Sequence, residues 1–443
     1  MENQNDFVIS NGVLTKYKGS DKCVVIPDGV TVIGEGAFMF NFSVESIVVP
    51  EGVTTIESDA FGHCDSLEEV TLPASLKKMS SQAFSGFHTL KRLKLADLRA
   101  WCKMDVVKDI FSFSSPTSGA ELYVGDTLIN HLIIPSGVTT IFEKAFSGCK
   151  SITKVTLPKG NIFVGDSAFS YCQNLEKVVI EGEAFVDTMA FYGCERLAAL
   201  DFSKVKTIGE AAFKNCKSLR EVDTTATTLQ GAFEGCEGLV KATVRSVSRN
   251  MFRCCTSLQE ATILPDEYSS CIQPQAFEGC KSLKKIDLPE VSHVCECAFD
   301  GCKSLEAITL RGIRCVERSA FKDCKKLKEI DVSTATRIER GAFYGCTALR
   351  SVTMPKALSE INEGTFNGCE ALKEITLPEN LKTIHFCAFA GCKALKEIAI
   401  PDSVTEIGIQ AFDGCEALSN VTLPKKMPKL GSDAFRDCIF KPE

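Results

Sequence analysis

The chain has 443 residues, 44% of them apolar and 24% charged, with a formal net charge of −7. That is ordinary soluble composition with ample core-forming material. The acidic balance speaks against nucleic acid as the main partner, because phosphate binding needs a basic face. No run of 18 apolar residues is present, so the sequence predicts no membrane insertion. The start, Met1-Glu2-Asn3-Gln4-Asn5-Asp6, lacks a basic segment followed by an apolar one. If Met1 is the native start, the expectation is a cytoplasmic protein.

In chain order, residues 1–22 carry the turn signal Asn11-Gly12 and are expected to form a cap hairpin. From residue 23 onward one signal dominates: Ala-Phe or a close variant recurs, with phenylalanines from Phe38, Phe61 and Phe84 through Phe146 to Phe435, 17 in all. Most steps are 22 or 23 residues. A typical unit reads Leu395, Ile398, Ile400, Pro401, Val404, Ile407, Ala411, Phe412, Gly414, Cys415. This L-x-x-I-x-I spacing at such a period marks a leucine-rich-repeat solenoid.

The spacing sets the local geometry. Residues two apart on a strand share a face, so Ile398 and Ile400 point inward. Pro401 then stops the strand, and V-x-x-I forms a second short extended piece. The A-F-x-G-C segment is expected to make a tight helical or 3-10 turn on the back. One unit has no closed core, and stacked copies bury one another's faces. The fold class expected is therefore a repeat solenoid, a superhelix of short parallel strands, running as a single body of about 17 coils over 23–443.

Two stretches break the rhythm. A 62-residue step separates Phe84 from Phe146 and points to an insertion at about 96–130. Within it, 96–107 reads as helical with Leu98, Trp101, Cys102 and Asp105 at helical spacing, and 111–120 reads as loop. Trp101, the sole Trp, is either a plug for a break in the core, the favoured reading, or part of a protruding recognition element. Between Thr224 and Glu278 the repeats shorten and then lengthen.

Cysteine stands three residues after Phe in 15 of the 17 units, with Asn41 and Phe87 replacing it in the first and third. A buried free cysteine behaves as a small hydrophobe, and parallel stacked side chains are poorly placed for disulfides. A structural column of reduced thiols is the expectation.

The repeated I-x-L-P-x-x-V-x-x-I-x-x-x-A-F-x-G-C motif closely resembles the BspA-like leucine-rich repeat family. The opening Gly12-Val13-Leu14, Tyr17-Lys18-Gly19, Val25-Ile26-Pro27-Asp28-Gly29-Val30 and the stretch Leu98-Arg99-Ala100-Trp101-Cys102 resemble it as well. The resemblance implies a surface or secreted adhesion protein that binds host matrix proteins or other cells.

Candidate site residues follow from the strand geometry. The outward row of the first strand includes Asp201, Asp223, Asp287, Thr309, Asp331, Thr353 and Thr376, a mildly acidic stripe for a protein partner. Six residues before Phe, successive units carry Cys271, His293 and Cys315, a weak zinc or reactive-thiol candidate, because three ligands in a line cannot wrap a tetrahedral ion. No H-E-x-x-H, G-x-x-x-x-G-K-[ST] or G-x-S-x-G motif is present, so neither an enzyme nor a cofactor is expected. The leading expectation is a non-catalytic protein-binding solenoid. An intracellular scaffold is the alternative, and a metal-binding or hydrolytic protein a remote third.

Overall fold

A computed structural model describes residues 4–86, 90–107, 115–265 and 270–442. The chain divides into two compact units, Met1–Leu219 and Arg220–Glu443. Each is a solenoid of short parallel strands with almost no helix.

In the first unit an antiparallel hairpin, Phe7–Ser10 against Val13–Tyr17, begins the stack. One parallel row then runs through Cys23–Val25, Ser46–Val48, Glu69–Leu72, Arg92–Leu95 and Glu121–Val124. A second row runs from Val13–Tyr17 through Val32–Ile33, Thr55–Ile56 and Lys78–Ser80 to Asp105–Val107. Alternation decides what is buried. In Glu69–Leu72, Val70 and Leu72 are inside, as the period of two requires.

The third side of each coil is the Ala-Phe segment. It forms consecutive hydrogen-bonded turns, not the helical or 3-10 turn that the spacing suggests. The reason is backbone handedness. Residues two before and two after Phe146, Lys144 and Gly148, both have φ near +60°, and a left-handed residue ends right-handed helical propagation. The turns still stack in register, for example Phe146 N–H to Ala168 carbonyl at 2.8 Å. The Phe rings form columns with centroids 5.1 to 5.8 Å apart inside each unit. Each stacked pair adds about 0.5–1.5 kcal/mol beyond its area burial.

The insertion interrupts both rows of the first unit. The helix is shorter than the spacing suggests, covering Leu98–Cys102 with Asp97 as its N-cap. It stops because Asp105–Val107 leaves to pair with Lys78–Ser80. Of the expected loop, 111–114 lies outside the described residues. In this coil, which has no Ala-Phe pair, the Ser115 and Thr117 hydroxyls donate to the turn carbonyls of Lys144 and Ser147. The rows then restart at His131–Ile133 and Thr140–Ile141.

In the second unit the first row comprises Glu221–Thr224, Lys241–Val244, Glu260–Ile263 and Lys285–Asp287. It resumes as Glu329–Asp331 with Ser351–Thr353, and again as Glu397–Ala399 with Asn420–Thr422. The second row runs Cys271–Ile272, His293–Val294, Cys315–Val316, Arg337–Ile338. The shortened coils keep the turn ladder, with Phe252 N–H to Ala276 carbonyl at 2.9 Å. At the far end Phe440 packs edge-on against Phe435.

Candidate functional site

The outward side chains of the first row stand on a rigid base. In the second unit Asp223, Thr243, Thr262 and Asp287 are direct register partners on adjacent strands, and Asp331 pairs with Thr353. Their inward neighbours, such as Val222 and Ala242, are fully buried, so the spacing of the exposed groups is fixed by a packed core. Asp201, Asp223, Asp287, Thr309, Asp331, Thr353 and Thr376 are all exposed.

The acidic residues of this stripe differ in availability. Asp201 caps the 3-10 turn Phe202–Lys204, accepting from the Ser203 amide and hydroxyl. Asp331 accepts from the Ser333 amide at 2.9 Å, and Asp287 pairs with Lys285 at 3.2 Å. Asp223 makes no ion pair among the described residues. Thr309 and Thr376 lie on segments with no strand pairing, where the row opens. An open depression beside Thr376 is lined by Glu374, Thr376, Glu397, Pro401, Asn420 and Thr422. The sequence did not signal this opening, because its L-x-x-I-x-I pattern continues unbroken through residues 372–377.

Trp101 sits elsewhere. It is 3% exposed, its indole N–H donates to the Ala145 carbonyl at 3.2 Å, and its ring meets Phe142 edge-on. It fills the break between the two halves of the first unit's core and offers no exposed surface to a partner.

Cys271, His293 and Cys315 are register neighbours on consecutive strands. They do not converge. His293 turns its ring to the Ser292 hydroxyl at 2.8 Å, and Arg337 donates to the Cys315 sulfur at 3.4 Å. Cys315 is buried although it holds the same register position as His293, its sulfur lying beneath the Arg337 guanidinium. Burial pushes its thiol up despite the guanidinium, and burial pushes nearby Cys295 up to about 12. A raised thiol is a poor nucleophile and a poor metal ligand at neutral pH. Among the described residues no group of three or more His, Cys, Asp or Glu side chains could hold a metal ion.

All 23 cysteines are free thiols. Those after Phe are buried, and most repeat one contact, seen as Cys302 thiol to Phe277 carbonyl at 3.2 Å and Cys415 thiol to Phe389 carbonyl at 3.1 Å, while Cys149, which follows the insertion, meets the Ser151 hydroxyl at 3.6 Å. Asn41, in the first coil, reaches the Gly19 carbonyl instead, at 3.0 Å. Phe87 lies outside the described residues.

This coil architecture agrees with the match to the family described as BspA type leucine rich repeat region, over residues 15–100, 119–240, 245–346 and 316–441. The chain belongs to that family. Among curated proteins none matches the sequence significantly. Similar solved structures include a leucine-rich repeat protein from Bacteroides ovatus, 23% identical, covering 99% of this chain and 90% of that one, with a TM-score of 0.36. A leucine rich cell surface protein from Faecalibacterium prausnitzii is 21% identical over 100% and 96% of the two chains, with a TM-score of 0.28. The pneumococcal vaccine antigen PcpA is 16% identical over 98% of each chain, with a TM-score of 0.36. Among the described residues no helix is long and apolar enough to cross a membrane.

Proposed function

We propose that this member of the BspA-type family is a non-catalytic scaffold that binds a protein partner through the outward first-strand row of its second unit. The observation that carries the reading is the register itself. Asp223, Thr243, Thr262 and Asp287 sit side by side on paired strands over a fully packed core. Such a surface is preorganised, so little side-chain freedom is lost on docking. Short hydroxyl and carboxylate groups, without aromatic anchors, suit many weak polar contacts more than one hot spot. The family resemblance supports a position at the cell surface.

The test places a photo-crosslinking residue at Asp223, Thr353 or Thr376 of the full chain, and, as comparison, at Thr383 or Glu406 on the paired strands Thr383–Ile384 and Glu406–Ile407, which continue the second row. The chain is expressed in its native organism, whose intact cells are surface-labelled in parallel. Defined adducts arising from the first-row positions alone are the expected result. Equal adducts from both rows, or none from the first row, would overturn the proposed face. Absence of surface labelling would remove the adhesion part and leave an intracellular scaffold.

A further inference from the structure

The charged side chains of the segment between Cys and the first strand are largely exposed among the described residues, and their signs generally alternate from one coil to the next. Lys91 stands against Glu68 at 2.6 Å, Lys217 against Glu195 at 2.9 Å, and Lys393 against Glu370 at 3.1 Å. Four consecutive coils of the second unit depart from this. Their segments read 281–285 KSLKK, 303–307 KSLEA, 325–329 KKLKE and 347–351 TALRS. That places eight cations and two carboxylates on one strip of a protein whose net charge is −7.

The coils hold these cations close together. Gly279 N–H bonds the Asp300 carbonyl at 2.7 Å and Gly301 N–H the Lys322 carbonyl at 2.8 Å. Lys281, Lys303 and Lys325 therefore follow one another at the coil spacing, set by Phe rings 5.3 Å apart. On the neighbouring column Glu306 is paired with Lys328 at 2.7 Å, and Lys326 and Lys284 also help hold its carboxyl below the usual range. Lys285 is taken by Asp287. Among the described residues Lys281, Lys284, Lys303, Lys325, Lys326 and Arg350 make no ion pair. Stacking like charges at this distance is unfavourable without a counter-charge, and a linear polyanion supplies one along the whole strip.

We propose that the strip from Lys281 to Arg350 is a docking surface for a linear anionic glycan, a sulfated or carboxylated polysaccharide. The choice of occupant follows from what lies between the cations. The half-buried Ser282 and Ser304 stand beside Lys281 and Lys303, offering hydroxyl partners to sugar hydroxyls. No aromatic residue occurs in any of the four segments. Single-stranded nucleic acid is held by aromatic stacking platforms, and compact protein interfaces by aromatic anchors. Neither feature is present on the strip.

The test measures binding of a heparin dodecasaccharide to the full chain by calorimetry over a range of salt concentrations. The variant K281S/K303S/K325S and the separate variant K284Q/K326Q/R350Q are compared with K16S/K18S/K77S, whose exposed lysines lie in the first unit. Far-UV dichroism and thermal unfolding report that each variant is folded. The expected result is binding that weakens with salt, a loss of about tenfold or more in each strip variant, and a shallower salt dependence. The control should keep wild-type affinity. No binding at low salt, or an equal loss in the control, would overturn the proposal. So would an oligo-dT or polyglutamate probe that binds as tightly through the same lysines, because the occupant would then be of another class. First-row crosslinks remain unaffected in the strip variants, so this result is separable from that of the protein-binding face.

Discussion

The thiol of Cys172 donates to the carbonyl oxygen of Phe146, one coil earlier, at 3.0 Å. That same oxygen accepts the Cys149 amide within its own turn at 3.2 Å. The Phe carbonyl thus ties its turn closed and ties the next coil to it, and the cysteine is the only part of the link supplied by a side chain. A thiol is small enough for the core and still donates weakly. Replacing Cys172 by Ala removes that donor and leaves a small void, while the carbonyl keeps its turn bond. A loss of about 1–2 kcal/mol is expected, read as a lower urea midpoint. An unchanged midpoint would show that the column is filler alone.

The buried thiols also make stability depend on pH. Burial pushes Cys64 and Cys102 up to about 12 from the ordinary 9.0, and drives Cys172, Cys302 and Cys369 up as well. In the unfolded chain these thiols ionise near their ordinary value, so above it the unfolded state binds fewer protons than the native state. Stability is fully present below about pH 8 and falls as pH rises from about 9 toward the folded values, with a limiting slope of about 1.4 kcal/mol per pH unit per thiol. Urea midpoints measured between about pH 7.5 and 10 should drop steeply. In a Cys64→Ala/Cys102→Ala variant the drop should be shallower.

Asn41 makes the opposite case to the repeat rule. Its amide nitrogen reaches the Gly19 carbonyl, and its oxygen accepts from the Ser43 and Val44 amides at 3.1 and 3.2 Å. The first coil has no preceding Phe turn, so a longer side chain is needed to hold the incoming chain. Installing the repeat's own residue with Asn41→Cys removes all three contacts. It should cost about 1–3 kcal/mol, seen as a lower melting temperature. A neutral result would mean that this contact contributes nothing to stability.

Much of the coil was legible in the sequence because each coil repeats the same three physical requirements. Ile398 and Ile400 alternate inward, Phe412 anchors the turn, and Gly414 takes a positive φ. The turn's other left-handed position was harder to read: glycine holds it at Gly341 and Gly364, but Lys144, Met189, Cys297 and Ser319 occupy it in other coils and carry no such signature. The opening of the strand row at Thr309 and Thr376 was equally hidden. It arises from how whole coils stack, while the local alternation stays intact. The basic strip was diluted in a net charge of −7, and only stacking brings Lys281, Lys303 and Lys325 into one line.

Trp101 gives a local probe of the break in the first unit. Its ring is buried against Phe142 and its N–H is held by Ala145, so the native emission should be blue-shifted. As the sole tryptophan, it reports opening at this point. Truncation by Trp101→Ala should cost about 3–5 kcal/mol. In the wild type, coincident fluorescence and far-UV dichroism transitions would mean that the break unfolds with the rest. An earlier fluorescence transition would place the weakest point of the first unit there.

Ser319 and Gly301 test the backbone in opposite directions. Ser319 holds φ at 54°, and the equivalent residues of the next two coils, Gly341 and Gly364, hold 62° and 58°. A side chain in this conformation costs about 1–2 kcal/mol, offset in part by the about 0.5–1 kcal/mol that glycine loses in folding entropy. Ser319→Gly should therefore stabilise by about 0.5–1 kcal/mol. Gly301 holds φ at 74°, and an added Cβ would meet only ordinary contacts with Gly279 at 3.7 Å. Space is not limiting there, so Gly301→Ala isolates the backbone term and should destabilise by about 1 kcal/mol. Denaturant midpoints moving up for the first variant and down for the second would assign the turn's stability to handedness. If both variants lost stability, packing around the turn would be the larger effect.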